Sequence, residues 1–240
     1  MDVYKEMAKY YDLIYCDEYD VDFYLLEARN ARGPVLEVAC GTGRILLALQ
    51  KHGIEIEGLD LSKEMLEVLR KKAESLGLKP HVHHANMVDF RINKKFSLII
   101  VPYRSFLHLQ SNERDKALKN FYGHLNEGGR IILHTYNVSD DEKRMTDGYH
   151  LFEHEDLEKD GMKYSLDWFL NYKSGSGNYR VLLKTGGDEF SYEMTIHYIS
   201  SKEMSGLLKK VGFKNIKQYC DFNYTPFDES CSEVLWIADR

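Results

Sequence analysis

The sequence predicts an α/β fold: a doubly wound, mostly parallel seven-stranded sheet with helices on both faces, plus an inserted antiparallel β-meander. Three observations support this prediction. Between residues 35 and 135, short β-rich runs alternate with amphipathic helical stretches, as in a parallel sheet covered on both faces. Residues 162–198 change to alternating apolar and polar positions, which is typical of antiparallel strands. Helical spacing then returns at residues 200–212.

The first half of the chain supplies the elements of the parallel sheet. The runs "PVLEVAC", "IEIEGLDL", "HVHHANM", "FSLIIVPY" and "GGRIILHTYN" are predicted strands. The stretches "RILLALQKHG" and "KEMLEVLRKKAESLG" are predicted helices, and a third helix opens at Ser111. Ser62 is the predicted N-cap of the second helix, while Gly53 and Gly77 end the first two.

The second half begins with the meander. Even-numbered positions from Met162 to Tyr172 and from Phe190 to Tyr198 are apolar, and a third alternating segment lies between them. Three antiparallel strands with one aromatic face are therefore expected. Residues 150–156 place His150 and His154 at helical spacing, and we expect a solvated helical face there. A capped helix over residues 200–212 and two closing strands, "NIKQYCDF" and "SEVLWIADR", complete the chain.

Bulk composition narrows the function. Hydrophobic residues make up 43% of the chain and the formal net charge is −6, which argues against a broad nucleic-acid surface. The longest apolar runs are too short to span a bilayer, and the N-terminus lacks a signal-peptide centre. Four widely spaced cysteines contain no CxxC pair, so neither a zinc site nor a disulfide framework is expected. A cytoplasmic location with no membrane or nucleic-acid partner is predicted.

A glycine turn joins the first strand to the first helix in "VLEVACGTGRILLAL", residues 35–49. Gly41 and Gly43 allow a sharp turn and a close approach of backbone amides to a ligand at a helix N-terminus. The third glycine of a dinucleotide fingerprint is replaced by Leu46, which disfavours an NAD(P)-binding oxidoreductase. The turn therefore indicates a ligand site of another kind at the carboxyl end of the sheet.

Two carboxylates near this turn suggest the ligand. Asp60 ends the second strand, seventeen residues after Gly43, where a carboxylate can accept hydrogen bonds from both ribose hydroxyls. Glu37 is expected in the turn itself, where it can take up an ammonium group or organise the loop. A ribose combined with an amino-acid moiety is found in S-adenosylmethionine.

The motifs "LEVACGTG", "GLDLS", "ANMVDF" and "FSLIIVPY…LNEGGRIIL" together resemble those of class I S-adenosylmethionine-dependent methyltransferases, over about residues 35–135. The resemblance implies S-adenosylmethionine as cofactor, with a loop under its methionine part and Asp60 on its ribose. Two residues depart from the common pattern: Ala39 replaces a glycine, which a negative φ would permit, and Asn86 replaces an aspartate. The implied cofactor contacts are Glu37, Ala39, Gly41, Gly43, Asp60, Leu61, Asn86, Met87 and Val101.

Outside this core, "MAKYYDLIY" resembles the N-terminal lid of small-molecule methyltransferases, which adds Tyr11 and Tyr15 to the expected cofactor contacts. The meander is similar to that of the sugar-amine N-methyltransferase branch. The expected organisation is therefore a helical lid over residues 1–30, a cofactor-binding core over 31–148 and 199–240, and an inserted antiparallel sheet over the acceptor site at 149–198.

The predicted activity is methyl transfer to a nitrogen or oxygen of a small-molecule acceptor by in-line displacement. Tyr103, at the methyl-donor end, and His108 are the candidate catalytic residues, although His108 can equally pack or cap a helix. Trp168 and Tyr192 of the meander are candidate acceptor contacts. No metal site is expected, because neighbouring histidines in "HVHH" point to opposite faces of a strand.

Alternatives remain open at this stage. They are a methyltransferase acting on a macromolecule, a non-catalytic cofactor-binding protein and, less favoured, the oxidoreductase. The oligomeric state is also open, and the aromatic face of the meander is compatible with a homodimer interface.

Overall fold

The computed structural model describes residues 7–16, 18–159 and 161–240; residues 1–6 and 17 of the predicted lid and residue 160 of the predicted inserted sheet lie outside this set. Two sheets organise the described residues. Their strands are β1 Val35–Val38, β2 Ile56–Asp60, β3 His81–His84, β4 Phe96–Val101, β5 Leu125–Tyr136, β6 His150–Lys159, β7 Met162–Lys173, β8 Ser176–Thr185, β9 Asp188–His197, β10 Lys214–Tyr219 and β11 Glu233–Asp239.

The larger sheet has seven strands in the order β10-β11-β5-β4-β1-β2-β3. Strands β3, β2, β1, β4 and β5 pair in parallel. Strand β11 is antiparallel to both of its neighbours. The strand order reverses direction at β1 and β4, so the carboxyl ends of these strands border the crevice in which doubly wound folds bind ligands. The predicted fold class is confirmed.

Helices connect and cover the strands. Ser62 caps helix α4 (Lys63–Ser75) by accepting a hydrogen bond from the Met65 amide at 3.3 Å, as expected. Helix α5 (Ser111–His124) begins at the expected residue, and its N-cap is Gln110. The helices are α1 Tyr11–Ile14, α2 Val21–Ala31, α3 Arg44–Lys51, α4 Lys63–Ser75, α5 Ser111–His124, α6 Asp140–Lys143 and α7 Ser201–Val211, with a 3-10 turn at Ser105–His108.

The core lies on both faces of the larger sheet. Because side chains alternate along a strand, Leu36 and Val38 of β1 join one apolar cluster, with α5 and α7. Val35 joins the other, with α2, α3 and α4. Strand β4 divides in the same way and is almost completely buried. Continuous apolar runs such as "SLIIV" are therefore explained by burial on two sides.

The second sheet has four antiparallel strands in the order β6-β7-β8-β9. Residues 150–156 are solvated, as expected, but they belong to strand β6 and not to a helix. Strand β6 is exposed on both faces along almost its whole length, so its sequence carries no apolar alternation that could mark it as a strand.

The inner face of the meander is covered within the chain. Leu166, Val181, Leu183 and Tyr192 are at most 6% exposed and share an apolar cluster with residues of the N-terminal segment and α4. The N-terminal segment contributes Met7, Ala8 and Ile14, and α4 contributes Met65. The N-terminal segment thus packs on the meander.

Cys220 and Cys231 form a disulfide, with a Cα–Cα distance of 5.2 Å. The expectation of no disulfide is therefore wrong. Antiparallel pairing of β10 with β11 folds the connecting segment back on itself, which brings together two cysteines that are eleven residues apart. Sequence spacing alone cannot show this proximity.

Within the described residues, no helix is both long and apolar enough to cross a bilayer.

Candidate cofactor and acceptor site

The turn after β1 is built from left-handed backbone. Ala39, Gly41 and Gly43 have φ values of 58°, 52° and 85°. The Cys40 amide donates to the Leu59 carbonyl of β2 at 3.0 Å, which fixes the turn against the neighbouring strand. Helix α3 begins immediately after the turn, so its first amides point into the crevice. The negative φ that would let alanine replace glycine at position 39 without strain is not adopted, because this turn requires a positive φ there.

We predict that Ala39→Gly raises the melting temperature. A left-handed conformation costs a residue with a Cβ about 1–2 kcal/mol, while glycine loses about 0.5–1 kcal/mol through greater freedom of the unfolded chain. The net gain of about 0.5–1 kcal/mol corresponds to about 2 °C for a chain of this size. Ala48→Gly, within α3, is the matched control and should lower the melting temperature. An Ala39→Gly variant that melts below the parent would contradict the assigned strain.

The two glycines have different surroundings. A Cβ at Gly43 would lie 2.7 Å from Cγ of Leu69 in α4, whereas a Cβ at Gly41 would meet only Tyr11, at 3.9 Å. Gly43 is therefore needed for close packing of the turn on α4. Gly41 faces α1 of the N-terminal segment, on the side where a ligand would approach.

Asp60 ties the turn to β2. Its carboxylate accepts hydrogen bonds from the Gly41 and Ser62 amides, each at 2.8 Å. Burial raises the pKa of Asp60, and the backbone donors, led by Ser62, oppose this rise. The side chain of Leu61 next to it is 64% exposed. An exposed apolar side chain beside a positioned carboxylate fits a nucleoside, with its base on Leu61 and its ribose on Asp60.

Glu37 lies within β1, not in the turn as expected, and is 3% exposed. Its Oε2 atom has no hydrogen-bond partner among the residues that the structure describes. Burial raises its pKa well above the ordinary value, and the charge of Arg44 only partly opposes this. A buried carboxyl oxygen without a partner, below the glycine turn, fits the ammonium group of an amino-acid moiety.

The remaining expected cofactor contacts occupy the ends of the next two strands. Asn86 follows β3, and its side-chain oxygen accepts the Val88 amide at 2.9 Å. Met87 is half-buried against the core. Val101 ends β4, and its side chain is fully buried in the core, so only its backbone can border the crevice.

The N-terminal segment is held on the glycine turn. Asp12 accepts a hydrogen bond from the Thr42 hydroxyl at 2.5 Å and pairs with Lys72 of α4 at 2.7 Å. The rings of Tyr11 and Tyr15 lie 4.7 Å apart on the same segment. These contacts place both tyrosines beside the turn.

Tyr15 connects this segment to the rest of the site. Its ring meets Tyr103 at 5.4 Å and Trp168 at 5.6 Å, both edge to face. Its hydroxyl lies 2.6 Å from that of Tyr192. Trp168 and Tyr192 both stand opposite Val181 in the meander register, so they share one face. Four predicted site residues, from three separate parts of the chain, therefore converge beyond the carboxyl end of β4.

Two arginines that were not predicted flank Tyr103. The guanidinium of Arg44 lies 5.3 Å from the Tyr103 ring centre and that of Arg104 lies 6.0 Å away. Arg44 forms a two-pronged ion pair with buried Asp20, and Arg104 pairs with Glu233. Tyr103 and Arg104 both have positive φ, 52° and 63°. Consecutive left-handed residues at a strand end are a mark of functional loops, but single-residue patterns do not reveal them.

We predict that Glu233 makes stability pH-dependent in acid. Burial alone would raise the pKa of Glu233, but hydrogen bonds and charge from His134 and Arg104 lower it to about 2. Because the folded pKa is below the ordinary value of about 4.3, this stabilisation is present above pH 4.3 and is lost as the pH falls through 2. The full loss is about 3 kcal/mol. Urea unfolding between pH 6 and pH 2 measures it, and the stability gap to Glu233→Gln should shrink over that range. A constant gap would rule out this source of acid sensitivity.

His108 ends the 3-10 turn after β4. Its ring is hydrogen-bonded to the Thr195 backbone of β9, and burial lowers its pKa. The contact joins the core to the meander, so the structure supports a positioning role for His108 more directly than a role as a base.

Taken together, the glycine turn after β1, the carboxylate at the end of β2 and the strand order define a nucleotide-cofactor-binding α/β enzyme fold. Comparisons with known proteins show which proteins the chain is similar to. Residues 35–129 match the model of a methyltransferase domain. A dTDP-3-amino-3,6-dideoxy-α-D-glucopyranose N,N-dimethyltransferase of Streptomyces fradiae is 32% identical over 137 residues, covering 53% of this chain and 52% of that protein.

Solved structures show the same fold over nearly the whole chain. An S-adenosylmethionine-dependent methyltransferase of Clostridium acetobutylicum superposes with a TM-score of 0.80 at 21% identity, covering 99% of both chains. A sugar N-methyltransferase of Streptoalloteichus gives 0.75 at 21% identity, covering 96% of this chain and 92% of that one. The chain spans only about half the length of the curated relatives that it matches at 31–32% identity. Residues 35–129 thus resemble a methyltransferase domain, and the predicted resemblance to S-adenosylmethionine-dependent methyltransferases, which implies that cofactor, is confirmed.

Proposed function

We propose that this protein transfers a methyl group from S-adenosylmethionine to the amine nitrogen of a small molecule. The observation that carries the proposal is the convergence of Tyr15, Tyr103, Trp168 and Tyr192 beyond the carboxyl end of β4. Because a segment and a sheet of the same chain close this space, it suits a compact acceptor better than a macromolecule. The Streptomyces fradiae relative acts on an amino sugar linked to dTDP, which favours an amine acceptor of that class.

Some residues of the site hold the cofactor, and others align the acceptor. Asp60 holds the ribose, Leu61 supports the base, and Glu37 with the turn at 39–43 holds the amino-acid part. Bound S-adenosylmethionine supplies a methyl group already activated by its sulfonium. The aromatic side chains exclude water and align the unprotonated acceptor nitrogen with the methyl group, which alone gives a large acceleration. The methylated ammonium then releases its proton to solvent. Tyr103 touches the acceptor, and His108 keeps β9 in place beside it.

Three parts of the chain have different roles in the proposed function. Residues 1–30 act as the lid, residues 149–198 form the wall of the acceptor site, and the rest is the cofactor-binding core. Contacts of Asp12 with Thr42 and of Tyr15 with Tyr192 support this assignment. A macromolecular acceptor would require the lid and the meander to separate.

Two measurements test the proposal. Calorimetric titration should detect S-adenosylmethionine and its demethylated product but not NAD. Turnover should then appear with dTDP-linked amino sugars or related small amines and not with the matching hydroxyl sugars or with duplex DNA. Cofactor binding without turnover on any amine would favour a non-catalytic protein, and turnover only on DNA would favour the macromolecular alternative.

A further inference from the structure

Two histidines and a buried carboxylate meet near the amino ends of β2 and β3, away from the crevice at the carboxyl ends of the strands. His81 and His83 alternate along the edge strand β3, so their side chains share one face. Glu57 of β2 stands directly opposite His81 in the parallel register. Its Oε2 atom lies 3.2 Å from Nδ1 of His81 and 2.8 Å from Nε2 of His83. The ligand atoms of all three residues lie within 4.8 Å of one another.

We propose that Glu57, His81 and His83 bind a divalent transition-metal ion of borderline softness, such as Zn²⁺ or Ni²⁺. Imidazole nitrogen and carboxylate oxygen are the ligand types that such ions take in proteins. Ligand bonds of about 2.0–2.1 Å in a tetrahedral site separate neighbouring ligand atoms by about 3.3 Å. The two His–Glu separations are already close to this value, so small side-chain rotations are sufficient.

The burial of the three residues suits a metal site with an open position. Glu57 is almost fully buried, with its side chain 7% exposed, His83 is 25% exposed and His81 is 70% exposed. The buried carboxylate is fixed, while the outer histidine can adjust and leave room for water as a further ligand. Neighbouring histidines on a strand point to opposite faces and cannot all bind one ion, but His81 and His83 alternate and share one face, while His84 lies on the other.

Lys94 supports and also competes with this site. Its ammonium group lies 2.7 Å from Oε1 of Glu57 and 2.7 Å from Glu55. It therefore orients the carboxylate so that Oε2 faces the histidines, as an outer hydrogen bond does around many metal sites. Its positive charge opposes a nearby cation, so loss of the charge should strengthen metal binding.

The site is separate from the cofactor crevice. Asp60 lies three residues after Glu57 along β2, a distance of about 10 Å at the usual rise per residue, and it points to the other face of the strand. Among the described strands, β3 pairs only with β2. Occupancy would join these two strands through side chains as well as through backbone hydrogen bonds. Because the metal would bind the folded state, it should raise the melting temperature.

Calorimetric titration of the metal-stripped full chain, without a histidine tag, tests the proposal with ZnCl₂ and NiCl₂. We expect one ion per chain, an affinity at least tenfold weaker in His81→Gln and in His83→Gln, and a tighter affinity in Lys94→Gln. His84→Gln is the matched control, because His84 lies on the same strand with its ring bonded to the Leu61 carbonyl; it should bind like the parent. Melting without metal establishes that each variant is folded.

Three results would overturn the proposal: no binding of one equivalent by the parent, equal affinity in the parent and both histidine variants, or binding that appears only after a reductant opens the Cys220–Cys231 disulfide. The last result would place the ion at Cys220 and Cys231, where Asp228 completes a second group of ligand atoms.

Discussion

Asp60→Ala should weaken S-adenosylmethionine binding by about 10- to 150-fold, because losing the charged acceptor of the ribose hydroxyls costs about 1.5–3 kcal/mol in total. The carboxylate also accepts the Gly41 and Ser62 amides, so the variant leaves two turn donors without their partner. The cofactor therefore loses a direct contact and the rigid turn on which it lies. Isothermal calorimetry with S-adenosylmethionine and with its demethylated product measures the loss.

Two further variants separate these effects. Asp60→Asn keeps a side-chain oxygen near the amides and should retain more affinity than Asp60→Ala. Asp22→Ala removes an exposed carboxylate from α2 and should bind like the parent. If a folded Asp60→Ala protein binds the cofactor as tightly as the parent, the ribose assignment is wrong.

Trp168→Ala should lower kcat/KM for the acceptor at least tenfold while cofactor affinity changes less than twofold. The indole packs edge to face on Tyr15, which itself contacts Tyr103, so its loss opens the wall of the proposed acceptor space. Loss of alignment and entry of water reduce the rate of the chemical step more than they reduce cofactor binding. Steady-state kinetics with a responsive amine, together with cofactor calorimetry, measure the two effects.

Tyr192→Phe is the companion variant, because it removes the hydroxyl that meets Tyr15 at 2.6 Å and keeps the buried ring. It should lower acceptor turnover by less than Trp168→Ala does. The meander face is covered by the chain's own N-terminal segment, so neither change should alter elution from a sizing column. Normal turnover combined with a shift to a smaller species would instead identify the meander as a subunit interface.

Sequence patterns predicted the elements that bury one or two regular faces. Strand β4 is apolar because both of its sides are buried, and the meander strands β7 to β9 alternate because one side is. Strand β6 was missed because it buries neither side. The hydrophobic pattern therefore reports which side chains are buried. It identifies a strand only where at least one face of that strand is buried.

The sequence predicted some residues of the candidate site and missed others. Glycines, Asp60 and the aromatic residues belong to local motifs whose spacing is visible in the chain. Arg104 and Glu233 form one ion pair although 129 residues separate them, and Asp12 meets Lys72 across 60 residues. Such pairs depend on tertiary geometry, and exposed charged residues occur everywhere in the sequence. The left-handed backbone at Ala39 and Tyr103 was equally hidden, since both residues usually adopt negative φ.

The two anchors of the N-terminal segment have a kinetic consequence. Asp12 holds it on the glycine turn and Tyr15 holds it on the meander, and only two residues lie between these anchors. Under the proposed function, uncovering the cofactor should therefore also remove one wall of the acceptor space. Exchange of spent for fresh cofactor should release the acceptor as well, so an amine that receives two methyl groups should do so in two separate encounters. Singly methylated product should accumulate in solution before the doubly methylated form appears.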